Sequence, residues 1–545
     1  MYEINCPDPR PEEAPAARLA YQYRLSDIIL AWVCWLAGFM LCVIIPIGKC
    51  LWGAFAFEVV LFVGALVLVG LRNRVCIVRA AVQAAVSILL SCAFLLTTNQ
   101  AIIVCVFLFT VVSWFYMVFV LSGSSVERFP GDSFVREAAV SVFATPIHAP
   151  GNIFMAIFSN RRSEDGQPGK ARFGKVFGLV LLGFAVAMIP TIIVGVLLSY
   201  DKGFSDLLGK MFDLKAIGKV IHRVSVGLAI AALLFGALLT SLTKSMAGRR
   251  AADPAEAGNG THILPVVAGC AALFPVLFLY VVFFVSQWSY YMSAFTGVLP
   301  EGLTYANYAR EGFFQLCTVV GINAALAVLA SVFTKRRAYD PERPDRDRVH
   351  PALRIALTIL SLFTLVLIAT ALSKMILYVD TYGLTQKRVY STWLMLLLAA
   401  AFIAVPVKQA WHKMNLVGTL LCVFLVFFLA ISLVNVDSLI VNYNVDACLD
   451  GNVRTMESNK AGDSSDVLYD AGASGVLPAL RFMEETAGSD DPAILDIRVK
   501  TEKYLQKQAA TLSGQSFWEK NFVSLKAEHA LRDAAYMDLN QVPDK

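Results

Sequence analysis

Long apolar runs, one after another, constrain this chain more than any other feature. Leu416 to Leu433, LVGTLLCVFLVFFLAISL, carries no charged side chain, and comparable runs recur from Ser26 onward. About 20 apolar residues rising 1.5 Å each match a hydrocarbon core about 30 Å thick. A soluble interior has no place for so many such faces: of the 545 residues, 57% are hydrophobic and only 16% charged. Strands of a transmembrane barrel would read as alternating segments of roughly ten residues, and these runs are unbroken. The expected fold is therefore all-α, a polytopic transmembrane helical bundle.

Spans read at about Ser26 to Ile47, Leu51 to Leu71, Val75 to Thr97 and Gln100 to Leu121, with connections short enough to make neighbours of them. Further spans read at about Val176 to Leu198, Val220 to Leu242, Leu264 to Val285, Phe314 to Phe333, Ala352 to Ile376, Ser391 to Val407 and Leu416 to Leu433. The total is about eleven spans of bilayer length. The domain reading is a proline-rich, mobile N-terminal tail over 1–25, a four-span module over 26–121, a cytoplasmic or interfacial segment over 122–175, a seven-span core over 176–435 and a soluble helical tail over 436–545. Within 122–175, Pro146 and Pro150 argue against a continuous span, because each removes a backbone donor that lipid cannot replace. In the tail, LDIRVKTEKYLQKQAATL and FWEKNFVSLKAEHALRDAAYM space their apolar residues as helices do.

The formal net charge of +5 resides in loops, so it speaks for orientation and not for nucleic acid. An N-terminus in the cytoplasm, with an uncleaved first span, puts the basic clusters at Arg72/Arg74, Arg161 to Lys175, Lys244 to Arg250, Lys335 to Arg348 and Lys408/Lys413 on the inner side. The expectation is a multi-pass protein of the cytoplasmic membrane with an extracytoplasmic C-terminal tail. The 11 cysteines include no CxxC pair, and the 6 histidines show no paired ligand spacing, so no metal site is expected. There is also no nucleophile elbow, Walker loop or nucleotide fingerprint, and no cofactor is expected.

Three phrases carry a resemblance: GLTYANYAREGFFQL at Gly302 to Leu316, YVDTYGLTQKRVY at Tyr378 to Tyr390, and VDSLIVNYNV at Val436 to Val445. They resemble segments of a bacterial family of uncharacterised multi-pass membrane proteins, domain of unknown function 4173, over roughly Val176 to the end. GVLPAL at Gly475 to Leu480 and NFVSLKAEHAL at Asn521 to Leu531 are weaker echoes. Tails of that family carry an Asp shortly before the Pro of the Leu-Pro phrase, where this chain has Gly472 and Gly475. The resemblance implies no substrate, cofactor or catalytic residue.

With the stated orientation, the Ser286 to Phe314 stretch, the Tyr378 to Arg388 loop and the exit at Val436 all fall on the outer face. Trp288, Tyr290, Tyr305, Tyr308 and Tyr378 supply amphipathic rings at headgroup level. Arg310, Glu311, Asp380, Lys387 and Arg388 supply charge among them; a guanidinium fork fits phosphate or carboxylate, and equally serves as a structural ion pair or an anchor at a helix end. Inside the spans, Glu58 and Lys374 stand out, since intramembrane charge is costly and often functional.

The sequence thus points to an integral membrane protein in contact with the lipid bilayer that binds or transports a small amphipathic or ionic ligand at its outer face. Two other classes stay open. A membrane-embedded enzyme acting on a lipid or envelope precursor would draw its base from Asp380, Glu301 or Glu311. A sensor or assembly platform would dock partners through the tail.

Overall fold

A computed structural model describes residues 25–44, 51–70, 77–125, 130–131, 134–147, 153, 156, 214–243, 265–286, 305–334, 349–411, 414–456 and 466–537. The chain is all-α, and nine helices among the described residues are long and apolar enough to cross a membrane. They are α2 (Leu51–Gly70), α3 (Ile77–Ser91, continued by a short turn to Leu96), α4 (Gln100–Leu121), α5 (Leu214–Thr243), α6 (Val266–Ser286), α7 (Tyr305–Phe333), α8 (Pro351–Tyr382), α9 (Gln386–Ala410) and α10 (Leu416–Leu433). The first helix, α1 (Leu25–Ile44), offers a shorter apolar stretch, Ser26–Cys42. The span expected over Val176 to Leu198 lies outside the described residues. Helix α7 begins at Tyr305, so the last third of the Ser286 to Phe314 interruption is continuous with a span.

The boundaries follow from side chains that satisfy the first backbone N–H groups. Asn99 accepts from Ala101 N and Ile102 N at the start of α4, and Asn415 from Gly418 N at the start of α10. Pro351 opens α8 behind the His350 cap, and Gly383 ends it with φ of +75°. Proline inside a span is tolerated at Pro275 of α6 and Pro406 of α9.

The chain divides into two compact units. In the first, residues 1–40 and 149–239, α1 meets α5 through glycines. A Cβ on Gly38 would press on the Gly227 carbonyl and lie 2.9 Å from Ala231 N, so the two backbones touch where any larger residue would part them.

The second unit holds the rest. Helices α2, α3 and α4 pack together, as do α6 to α9, with α10 lying against α3 and α9. Lipid supplies no hydrophobic drive between helices, so buried polar side chains contribute to their pairing. Fully buried Asn323 of α7 accepts from Tyr280 Oη of α6 at 2.5 Å and donates to Thr364 Oγ1 of α8 at 2.9 Å. Beyond α10 the chain turns at Asn435 into α11 (Val436–Leu449), α12 (Val476–Glu485), α13 (Pro492–Ser513) and α14 (Phe522–Asp533). These form a layer around Val441, Val445, Phe482, Tyr504, Leu505 and Leu531.

Candidate functional site

Two of the three signature phrases, Tyr378 to Tyr390 and Val436 to Val445, supply elements of a junction where the ends of α4, α8 and α9 meet the C-terminal layer, while the phrase at Gly302 to Leu316 supplies the start of α7. Asn444 of α11, fully buried, grips the loop after α8: Leu384 N donates to its Oδ1 at 2.7 Å and its Nδ2 donates to Leu384 O at 2.8 Å. Gly383 is required here, because a Cβ at that position would collide with Asn444 Oδ1. Thr98 shares a hydrogen bond with Ser474 at 2.9 Å, and Asn521 Nδ2 donates to Thr97 O at 2.7 Å. The C-terminal layer is therefore hydrogen-bonded to the α3–α4 turn.

At the centre of the junction is Asp437, only 2% exposed. Asn99 Nδ2 donates to both of its carboxylate oxygens at 3.2 Å, and Gln386 Nε2 donates to Oδ1 at 2.9 Å. Burial pushes the Asp437 carboxyl above the ordinary range, the nearby Asp470 adds to this, and the donations from Asn99 and Gln386 work against both. Beside it lies a cavity of about 10 Å³, room for about one water molecule or bare ion. Thr385, Gln386, Asp437, Ile440, Val467, Asp470 and Ala471 line it. Asp470 is exposed, whereas the Thr385 hydroxyl is buried with no hydrogen-bond partner among the described residues. Thr385 stands at the N-cap of α9 without using its side chain to cap it.

The residues singled out in the sequence divide around this junction. Arg388 is buried with its guanidinium 4.1 Å over the Tyr378 ring, and Nη1 donates to the Tyr382 and Gly383 carbonyls. It occupies the carbonyl-rich end of α8, where a cation is favoured. Asp380 is exposed at the rim, its backbone carbonyl held by Asn452 Nδ2 at 2.8 Å and its carboxylate raising the pKa of neighbouring Tyr443, after the larger effect of burial. Lys387 is exposed on the first turn of α9. Tyr305, Tyr308, Arg310 and Glu311 are placed on the first turns of α7, with side chains outside the described residues, and Trp288, Tyr290 and Glu301 lie outside them altogether.

Glu58 and Lys374 belong to separate helix groups. Glu58, 6% exposed on α2, accepts from Ser91 of α3 and from Thr110 Oγ1 of α4 at 2.7 Å. The contact continues a polar seam in which Arg79, Gln83, Ser87 and Ser91 repeat every fourth residue along α3. Gln83 Nε2 donates to Ser113 O at 2.9 Å, the Ser87 and Ser113 hydroxyls are 2.7 Å apart, and Arg79 Nη2 donates to Tyr116 Oη at 2.6 Å. Lys374, 1% exposed, lies on α8 beside Ala371, Met375 and Tyr378 of another cluster.

Asn99 and Asp437 escaped the sequence reading as functional residues. Asp437 stood inside a quoted phrase, and Asn99 ends the TTN break before an apolar run, which is the pattern of a helix cap. Neither position shows by itself that the two meet.

Among the described residues no group of three His, Cys, Asp or Glu side chains converges as a metal site would require. Residues 84–466 match the family described as Domain of unknown function (DUF4153). The chain belongs to this family. The match corrects the resemblance, which pointed to a differently numbered family of unknown function, and it begins inside α3, well ahead of Val176. The DUF4153 region contains Asn99, Thr385, Gln386 and Asp437 and ends just short of Asp470. No curated protein and no solved structure matches the chain. It is thus a membrane-embedded DUF4153 protein, built from many apolar helices.

Proposed function

We propose that this protein binds a small monovalent cation at the Asp437 junction, on the face that the distribution of basic loops turns outward, as a non-enzymatic component of the cytoplasmic membrane. The observation that carries the reading is the buried Asp437 carboxylate beside a water-sized cavity that is also lined by Asp470 and by Thr385, whose buried hydroxyl has no hydrogen-bond partner among the described residues. Oxygen atoms of this kind suit hard cations; a divalent ion takes 6–8 oxygen ligands or keeps its waters, more than a cavity of this size accommodates. A lipid or amphipathic molecule is too large for it. Burial without a counter-charge is costly for a carboxylate, and a bound cation offsets that cost.

The test is the thermal stability of the full-length protein in nanodiscs, in sodium, potassium or choline chloride at equal ionic strength. A ligand that binds only the folded form raises stability by RT ln(1 + [L]/Kd), about 2.7 kcal/mol at a hundredfold excess over Kd. We expect sodium or potassium to raise the Tm of the wild type above its value in choline, and this increment to vanish in Asp437→Asn and shrink in Thr385→Val. Equal Tm values in the three salts would refute the reading.

A further inference from the structure

The C-terminal layer presents an aromatic edge that its own core does not use. Phe517, Trp518 and Phe522 are 58%, 62% and 50% exposed, and they follow one another around the turn between α13 and α14. That turn is rigid. Ser516 and Glu519 close a capping box around Phe517–Glu519, and Asn521 caps α14 while reaching Thr97 O. Lys520 is paired with Glu528 at 2.7 Å, and Glu528 also holds Arg532 at 2.5 Å.

The position of the edge identifies what it meets. Phe517–Glu519 packs against α2, and Phe522 makes an edge contact with Trp52, ring centroids 4.7 Å apart. Trp52 is the second residue of a span whose outward face, Val60, Val63 and Val67, is exposed along the helix. The aromatic edge is therefore continuous with a surface that faces lipid, at the level where the span begins. The indole of Trp518, an apolar body with one polar edge, suits the headgroup layer, and the rings of Phe517 and Phe522 add apolar area beside it.

We propose that the Phe517–Phe522 segment dips into the headgroup layer of the bilayer that α2 crosses, so that phospholipid itself is a partner of the C-terminal layer. The occupant is lipid and not a second chain because the edge continues the lipid-facing side of α2. This inference is independent of the cation site.

The experiment places the photoreactive residue p-benzoylphenylalanine at Trp518 of the full-length protein in phosphatidylcholine nanodiscs. A matched control carries it at Leu495, which is exposed in the first turn of α13, about 27 Å along that helix from its last residue, Ser513, at 1.5 Å per residue. After irradiation and mass analysis, a phosphatidylcholine adduct at 518 an order of magnitude above that at 495 is expected. Lack of a lipid adduct at 518, or an adduct to a second protein chain there, would overturn the proposal. Should the Trp518 substitution prevent folding, the same residue at Phe517 gives the same readout. In the wild-type side chains, brominated phosphatidylcholine must quench more emission than it does from Trp518→Phe.

Discussion

Asn99 and Asp437, 338 residues apart in sequence, meet through one side chain that does two jobs: Asn99 Nδ2 holds both Asp437 oxygens at 3.2 Å while Asn99 Oδ1 accepts from Ala101 N at 3.0 Å. The cap of a membrane span and the buried carboxylate of the junction are thus the same contact. Asn99→Ala removes both, a cap worth about 1 kcal/mol and a hydrogen bond to a carboxylate worth roughly 1.5–3 kcal/mol. We expect the thermal midpoint in detergent to fall, and Asn99→Asp to fall further, because it sets a second carboxylate against Asp437. An unchanged midpoint in both variants would show that the contact carries no stability.

The raised pKa of Asp437 has a definite consequence for pH. The folded protein holds this proton more tightly than the unfolded chain does, so the contribution to stability is greatest at acid pH. It falls as pH rises from the ordinary Asp range to the raised value, and is level above that. Without alkali cations, Asp437→Asn should remove this falling segment from a plot of Tm against pH. With sodium or potassium present, the cation increment should disappear on acidification through the same window, where the proton replaces the ion. Parallel pH profiles for wild type and variant would contradict the assignment of the titrating group.

Gly383 tests the clamp on the other side of the junction. Its φ of +75° disfavours any L side chain, and an added Cβ would meet Asn444 Oδ1 and stand 3.0 Å from Thr455 Cβ. A non-glycine residue in such a conformation costs of order 1–3 kcal/mol before the collision is counted. Gly383→Ala should therefore destabilise by at least about 2 kcal/mol, while Gly64→Ala, which meets nothing within 4 Å, should cost little. Comparable loss in both would point to a general intolerance of the bundle.

Much of this architecture was legible because bilayer thickness sets the length of an apolar run. Leu416 to Leu433 was read with the boundaries that α10 has, while α7 and α8 extend past their apolar windows into phrases rich in Tyr, Asp and Arg. The polar end of α8 is secured by Arg388, which lies over the Tyr378 ring and donates to the last carbonyls of that helix, a tertiary effect with no local signature. The site was half legible for the same reason. Arg388 and Asp380 drew attention by their charge, yet one secures a helix end and the other lies at the rim. The buried carboxylate, Asp437, looked like an ordinary residue after a span, since its significance depends on Asn99 and Gln386 arriving from distant segments.

Glu58 separates charge from hydrogen bonding inside the bundle. Its two oxygens are taken by hydroxyls of α3 and α4, so the side chain ties three helices together whether or not it is ionised. Glutamine has the same shape and keeps one acceptor, and the hydroxyls of Ser91 and Thr110 can each turn to accept as well as donate. Glu58→Gln should accordingly leave Tm near the wild-type value. Glu58→Ala, which empties the position and strands both hydroxyls, should cost about 2 kcal/mol, since interhelical hydrogen bonds in membranes average about 0.6 kcal/mol and the cavity adds to them. If Glu58→Gln proved as damaging as Glu58→Ala, the negative charge itself would be required, and the seam along Arg79, Gln83, Ser87 and Ser91 would have to be understood as an electrostatic device and not as interhelical glue.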